Sequence, residues 1–387
     1  MEPPGDMESG ASTPDKGSGK GNGATASAPA AASARGQPAS SSWPLSGHYW
    51  EDAIMEGHPM SDKLRHSMHY HGVQLPLLPS GRAPLLLAAV HGTDHHGRPF
   101  RWVARRHRKV LAQEHACPTP PPPLSWAACL DVRAQAGKLG WWVALLFTLG
   151  SALFIVSGVA GEFEALADPT ADPAGLRSPS AALLRWPNLV AANLCFFPAG
   201  IMQYLESVNM DRAARLRAWK AGGGSRPRPR PRLLPTGHDF KTVSLWAVVI
   251  QLTGMLGFNL ATIGSIIDAA ILVDPTTVTW LVSFGFTYGG AAFTVSAVMM
   301  CWEATGSWWR GLVPSRLRDL RSVSWHAAFW NFQGSVGFLI GGAALYATSF
   351  SWTQMQWISG YGNLAGALWF EVSALAMLLE QGNPQHP

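Results

Sequence analysis

The sequence predicts an all-α membrane protein of six transmembrane helices, arranged as three repeated two-helix hairpins behind a polar N-terminal region. Three observations predict it. From Gly140 onward the chain offers six apolar runs of about 20 residues or more, the length a helix needs to cross roughly 30 Å of hydrocarbon. Lys and Arg fall one-sidedly in the segments between those runs. Inside the runs, one Gly-to-Phe spacing and one Phe-to-Glu spacing each occur three times. Composition agrees: 14% of the 387 residues are charged and 47% hydrophobic, whereas about a quarter of an ordinary soluble domain is charged. A mean hydropathy of only +0.07 averages a polar beginning with an apolar remainder.

Residues 1–45 are mostly Ala, Gly, Ser and Pro, which cannot bury enough apolar surface to offset the entropy of ordering, and they read as a disordered tail. Glu2, Asp6, Glu8 and Asp15 in that stretch fit neither a secretory signal nor a transit peptide. Residues 46–138 form a His-rich cytoplasmic region holding 10 of the 13 His. Strand-like segments at 84–90 and 100–105, around the turn-rich 91–97, suggest a small accessory fold there. His66, His69, His71, His91, His95 and His96 lack the spacing of a metal site, so neither metal nor cofactor is expected. Prolines at 118–123, broken by Thr119, make a stiff spacer toward the membrane. The four Cys are too few and too scattered for a disulfide framework and are expected to be free.

The transmembrane domain covers 139–380, with spans at 140–159, 186–205, 243–267, 278–302, 325–350 and 357–379. Segments 101–139, 207–242 and 304–324 carry 7, 9 and 4 Lys or Arg, while the alternate loops carry only Arg177 and Arg185. The positive-inside rule therefore places the basic loop 207–242 and both termini in the cytoplasm.

The odd spans share Gly-x-x-x-Phe, as Gly150 with Phe154, Gly254 with Phe258, and Gly334 with Phe338. Trp142 and Trp246 stand eight residues before their Gly, Trp325 nine before, and Gly158 and Gly342 eight after. The even spans share a Phe ten residues before a Glu, ending in Glu206, Glu303 and Glu380. Repeats at 139–206, 243–303 and 324–380 follow. Small residues on one helix face let membrane helices approach closely, so the glycines read mainly as packing positions. An acid at a helix C-terminus opposes the helix dipole, so the threefold Glu needs a partner; basic residues that follow it, such as Arg212 or Arg310, are the expected ones.

A Gly-Ser-x-x-Phe span followed by one ending in an aromatic near Glu resembles the two-helix YrhK-like membrane domain and the polytopic proteins containing it. The matching text is Gly150 to Phe154, Gly334 to Phe338, Gln203-Tyr-Leu-Glu206 and Met300-Cys-Trp-Glu303. The resemblance implies an architecture and no assigned reaction.

Among groups that could carry chemistry, Glu371 stands out. It lies fourteen residues into its span, near the bilayer midplane, where an ionisable group is a functional candidate by default. Asn331, Gln333, Gln251 and Asn259 are polar residues of neighbouring spans that could join it or serve as interhelical glue. Two basic clusters, 101–109 and 226–232, read as contacts to anionic lipid at the cytoplasmic face. No nucleophile elbow, phosphate-binding loop or catalytic carboxylate pair can be assembled, and no nucleic-acid motif is present. The reading is a non-enzymatic membrane protein with a scaffold, sensor or lipid-organising role; the alternative is a transporter or channel coupled to protons through Glu371.

The orientation has a direct check. Single cysteines introduced in 207–242 should react with an impermeant maleimide only after permeabilisation, and those in 160–185 on intact membranes; the opposite labelling would reverse the topology.

Overall fold

The structure is a computed structural model that describes residues 68–70, 73–75, 88–93, 99–109, 111, 114–115, 123–164, 179–210, 212, 216, 219–220, 227–237, 239–271, 274–314, 317–347 and 349–384. The tail 1–45, Cys117, His66, His71, His95 and His96 lie outside the described residues. Cys129, Cys195 and Cys301 are buried and free, as expected.

Short strands precede the helices. Strands β1 (Met68–Tyr70) and β2 (Val73–Leu75) pair antiparallel, and His69 lies on the first of them. A second sheet orders β3 (Ala89–Thr93), β4 (Pro99–Val103) and β5 (Glu114–His115), with Ala89 opposite Val103 and Thr93 opposite Pro99. The hairpin expected here is thus present but shifted. Its first strand runs through His91 to Thr93, residues assigned to the turn. Its second ends two residues early, because Ala104 donates its N–H to Ala88 O at 2.8 Å and the chain turns into helix α1 (Ala104–Arg108).

Two capped helical turns, α2 (Trp126–Leu130) and α3 (Val132–Gln135), follow; Ser125 and Asp131 accept N–H bonds at their starts. The long helices are α4 (Leu139–Glu164), α5 (Pro179–Val190) continued by α6 (Phe197–Val208), α7 (Val243–Ile271), α8 (Pro275–Val278) continued by α9 (Phe284–Thr305), α12 (Val323–Ala344) and α13 (Trp352–Gly382). Between α9 and α12 lie α10 (Trp308–Leu312) and α11 (Leu317–Leu320). The joint between α5 and α6 is a π-helical stretch, Ala191–Phe196. Pro198 explains it: its ring crowds the carbonyl four residues back, and one widened turn relieves the clash while the helix continues.

Among the described residues, five segments are long and apolar enough to cross a membrane: Leu139–Gly161, Leu184–Val208, Val243–Asp268, Pro275–Thr305 and Thr353–Gly382. The chain is a helical multi-pass membrane protein. Helix α12 is not among the five, although its 22 residues reach about 33 Å; His326, Asn331 and Gln333 dilute its apolar character. It also ends at Ala344, short of the expected 350, where a turn bonds Phe350 N–H to Ala347 O.

Hairpin partners pack side by side: α4 on α5 and α6, α7 on α9, α12 on α13. The hairpins then close on one another, α6 against α7, α9 against α12 and α13 against α4. Buried phenylalanines from all three hairpins fill the shared interior. Phe338 lies 5.7 Å from Phe154 and 5.3 Å from Phe258, measured between ring centroids. Phe370 lies 5.9 Å from Phe196 and 5.8 Å from Phe293. These spacings suit edge and offset ring contacts. The spaced glycines make the rings fit: a Cβ on Gly150, Gly254 or Gly334 would overlap Phe196, Phe293 or Phe370, each on the partner helix of the same hairpin. Gly158 and Gly342 admit a different neighbour, Leu364 and Thr287, on a helix of the adjacent hairpin.

Gly334→Ala should therefore destabilise by roughly 1–3 kcal/mol, the usual cost of overpacking a filled core. Gly137→Ala, where nothing lies within 4 Å of the new methyl, should be neutral. Thermal unfolding of both in one detergent checks the difference; equal melting temperatures would deny the glycine a packing role.

A buried ion cluster as the candidate functional site

Strand β4 delivers the chain into α1, whose spacing places Arg105, Arg108 and Lys109 on one helical face, at i, i+3 and i+4. Val103, Ala104 and Leu111 around them are buried and anchor the segment. The three cations meet the three glutamates that end the even spans. Arg105 forks onto Glu380, donating from Nε to Oε1 and from Nη2 to Oε2, both at 2.9 Å. Arg108 does more: Nε and Nη2 donate to the two oxygens of Glu303 at 3.0 Å each, and Nη1 donates to Glu206 Oε2 at 2.7 Å. Lys109 Nζ lies 3.3 Å from Glu380 Oε2. Three carboxylates thus face three cations, and Arg105, Arg108, Glu303 and Glu380 are each at most 2% exposed.

Nearby groups complete the cluster. Ser244 Oγ donates to Glu303 Oε1 and Ser324 Oγ to Glu380 Oε1, each at 2.5 Å. Ten residues before the first repeat glycine, Gly150, stands Gly140, where a side chain would strike Glu206 Oε1. Serines thus hold two of the carboxylates, and glycine makes room for the third. Burial by itself would lower the Arg108 guanidinium, but the facing Glu303 and Glu206 outweigh it and hold Arg108 above its ordinary pKa. For Lys109 burial prevails; Glu380 opposes it only in part, and the ammonium is lowered. The facing carboxylates thus hold the charge on Arg108 more firmly than that on Lys109.

A second set of bonds ties the segment before α4 to the end of α13 and to the start of α4. Arg106 Nη2 donates to Pro384 O at 2.8 Å. Ser125 N–H donates to Asn383 Oδ1 at 2.9 Å, and Trp141 Nε1 to Cys129 O at 2.8 Å.

The structure corrects two expectations. The basic cluster 101–109 contributes Arg105, Arg106, Arg108 and Lys109 to the protein interior, where no lipid reaches them. The glutamates are paired with α1, and Arg310 binds Asp319 instead, at 3.0 Å. The usable clue was the i, i+3, i+4 basic spacing within a locally apolar stretch, together with three acids that all needed partners. Trp325 also yields its place to His326, which stands eight residues before Gly334. His326 Nε2 bonds Leu320 O, six residues back, as Trp142 Nε1 bonds Ala136 O and Trp246 Nε1 bonds Phe240 O.

The polar candidates of the spans are not brought together: no hydrogen bond links any two of Glu371, Asn331, Gln333, Gln251 and Asn259 among the described residues. Glu371 Oε2 is buried without a partner. Asn331 Nδ2 points to Met300 Sδ at 3.8 Å, Gln333 is half-buried, and Gln251 Oε1 is buried and unpaired. Asn259, with its amide turned to satisfy both ends, donates to Ala192 O at 2.9 Å and Met255 O at 3.2 Å, which is interhelical glue. In the basic loop Arg232 is tied back to Val208 O and Asn209, while Arg228 and Arg230 are exposed.

No protein-family model matches the chain, no curated protein matches it, and no solved structure matches it.

Removing one side of a buried ion pair leaves a charge stranded and costs about 3–5 kcal/mol. Arg108→Met, which strands Glu303 and Glu206, should lose stability on that scale, and Lys109→Met clearly less. Adding Glu303→Gln to Arg108→Met should restore part of the loss. Unfolding temperatures of the four proteins decide; an Arg108→Met variant as stable as Lys109→Met would remove Arg108 from its central place.

Proposed function

We propose that the chain is a non-enzymatic membrane protein that senses or scaffolds by docking its own N-terminal cytoplasmic region onto a bundle of three repeated hairpins. The single observation that carries the reading is the convergence of Glu206, Glu303 and Glu380 on Arg105, Arg108 and Lys109. A buried cluster of this kind contributes little net stability, because desolvation offsets most of the attraction, but it fixes one docked arrangement and is a known means of building switches. The filled phenylalanine interior favours a closed bundle over an open pore.

Six spans and both termini in the cytoplasm belong to this proposal, with α12 as the fifth span. The threefold repeat is supported by matched contacts: each repeat Gly faces the Phe of its own hairpin, and the two serine bonds Ser296 Oγ to Ala247 O and Ser373 Oγ to Ala327 O stand at corresponding places. The YrhK-like resemblance rests on those same Gly and Phe positions. Exposed Arg228 and Arg230 beside the membrane make anionic lipid the partner we propose at the cytoplasmic face.

Proton-coupled transport through Glu371 is the second reading, favoured by the unpaired Oε2 of that residue within its span. Two measurements separate the readings. In Arg105→Gln/Arg108→Gln, backbone hydrogen exchange over 103–109 should rise by at least tenfold while α4 and α13 stay protected; unchanged exchange would mean that the cluster does not hold the segment. In vesicles with a trapped pH dye, wild type and Glu371→Gln should both match empty vesicles; a flux present in wild type and lost in Glu371→Gln would favour transport.

A further inference from the structure

At the end of the bundle away from the ion cluster, beyond the Phe154 and Phe338 rings, the hairpins line a partly open cavity of about 80 Å³. All three contribute to it: Phe154 and Ser157 from α4 with Asn188 from α5, Phe286 from α9, and Phe338 and Asn363 from α12 and α13. Its walls combine aromatic rings with uncharged polar groups, and among the described residues no ionisable side chain lines it.

The polar groups are the informative part. Neither Asn188 nor Asn363 makes a hydrogen bond to another described residue, and Asn363 Oδ1 is buried and unpaired. Ser157 Oγ spends its proton on Leu184 O, which leaves its lone pairs free. An unpaired amide oxygen inside a membrane protein is costly, and Asn363 carries one where its side chain packs into the notch at Gly341. We infer that the cavity is a binding site for a small uncharged solute with both donors and acceptors, of the size and kind of a simple carboxamide. A cation or anion would find no counter-charge, and a hydrocarbon would leave the amides unsatisfied. Size excludes the rest: drug-sized ligands need about 300 Å³ or more, whereas one water needs about 10–15 Å³, so this space holds a handful of non-hydrogen atoms. A planar amide can lie against the phenylalanine rings and exchange hydrogen bonds with Asn188, Asn363 and Ser157.

The inference deepens the sensing reading by naming the class of molecule sensed, yet its test is independent of the ion cluster. Acetamide is the probe, used with the full chain in nanodiscs and followed by saturation-transfer NMR. Wild type should give a saturable signal, and Asn363→Leu and Asn188→Leu should each weaken apparent affinity at least tenfold, with Asn188→Leu melting at or above the wild-type temperature, because its amide makes no hydrogen bond to another described residue. Absence of a saturable signal in wild type would overturn the site and leave a cluster of waters as the occupant, and so would equal binding by wild type and Asn188→Leu, whichever way Asn363→Leu folds. Saturable binding that leaves hydrogen exchange over 103–109 unchanged would keep the site and refute its link to docking.

Discussion

Three carboxylates brought to one place demand compensation, and most of the architecture can be understood from how it is supplied. Glu206, Glu303 and Glu380 each end a helix where the dipole is already unfavourable to an acid, and each belongs to a different hairpin. Left alone, they would repel one another and push the hairpins apart. Arg108, by bonding Glu206 and Glu303 at once, and Arg105, by gripping Glu380, turn that repulsion into a common anchorage. The cations come from outside the apolar helices, on the short helix α1, which therefore covers this end of the bundle.

Away from the charges, packing takes over. Dispersion between phenylalanines is not directional enough to specify a register, so the glycines do it: where Gly150, Gly254 and Gly334 omit a side chain, a ring from the partner helix enters. In lipid, where apolar burial gives little advantage over contact with acyl chains, such close fit is the main source of helix association. The ionic end and the aromatic middle therefore divide the work between orientation and cohesion. Polar groups that do neither, such as the amide of Asn188, are the ones whose presence asks for another explanation.

The helical, membrane-crossing character of the chain was legible in its residues because 20-residue apolar runs have few other uses, and so was the repeated Gly, Phe and Glu spacing, because a residue that fits a recurrent contact must recur at the same interval. Span ends were less legible: α12 stops at Ala344 and α5 begins at Pro179, since termini depend on caps and loop geometry more than on hydropathy. The need of Glu206, Glu303 and Glu380 for partners could be read too. Their actual partners could not, because Arg105 and Glu380 are separated by 275 positions and nothing local couples them. Composition made the basic stretch 101–109 look like a lipid contact, for charge alone does not say whether the nearest anion is a phosphate or a carboxylate. Only the folding of all three hairpins into one ring, with β4 handing α1 to its end, decided that, because ion pairing depends on distances between segments that the chain order leaves free.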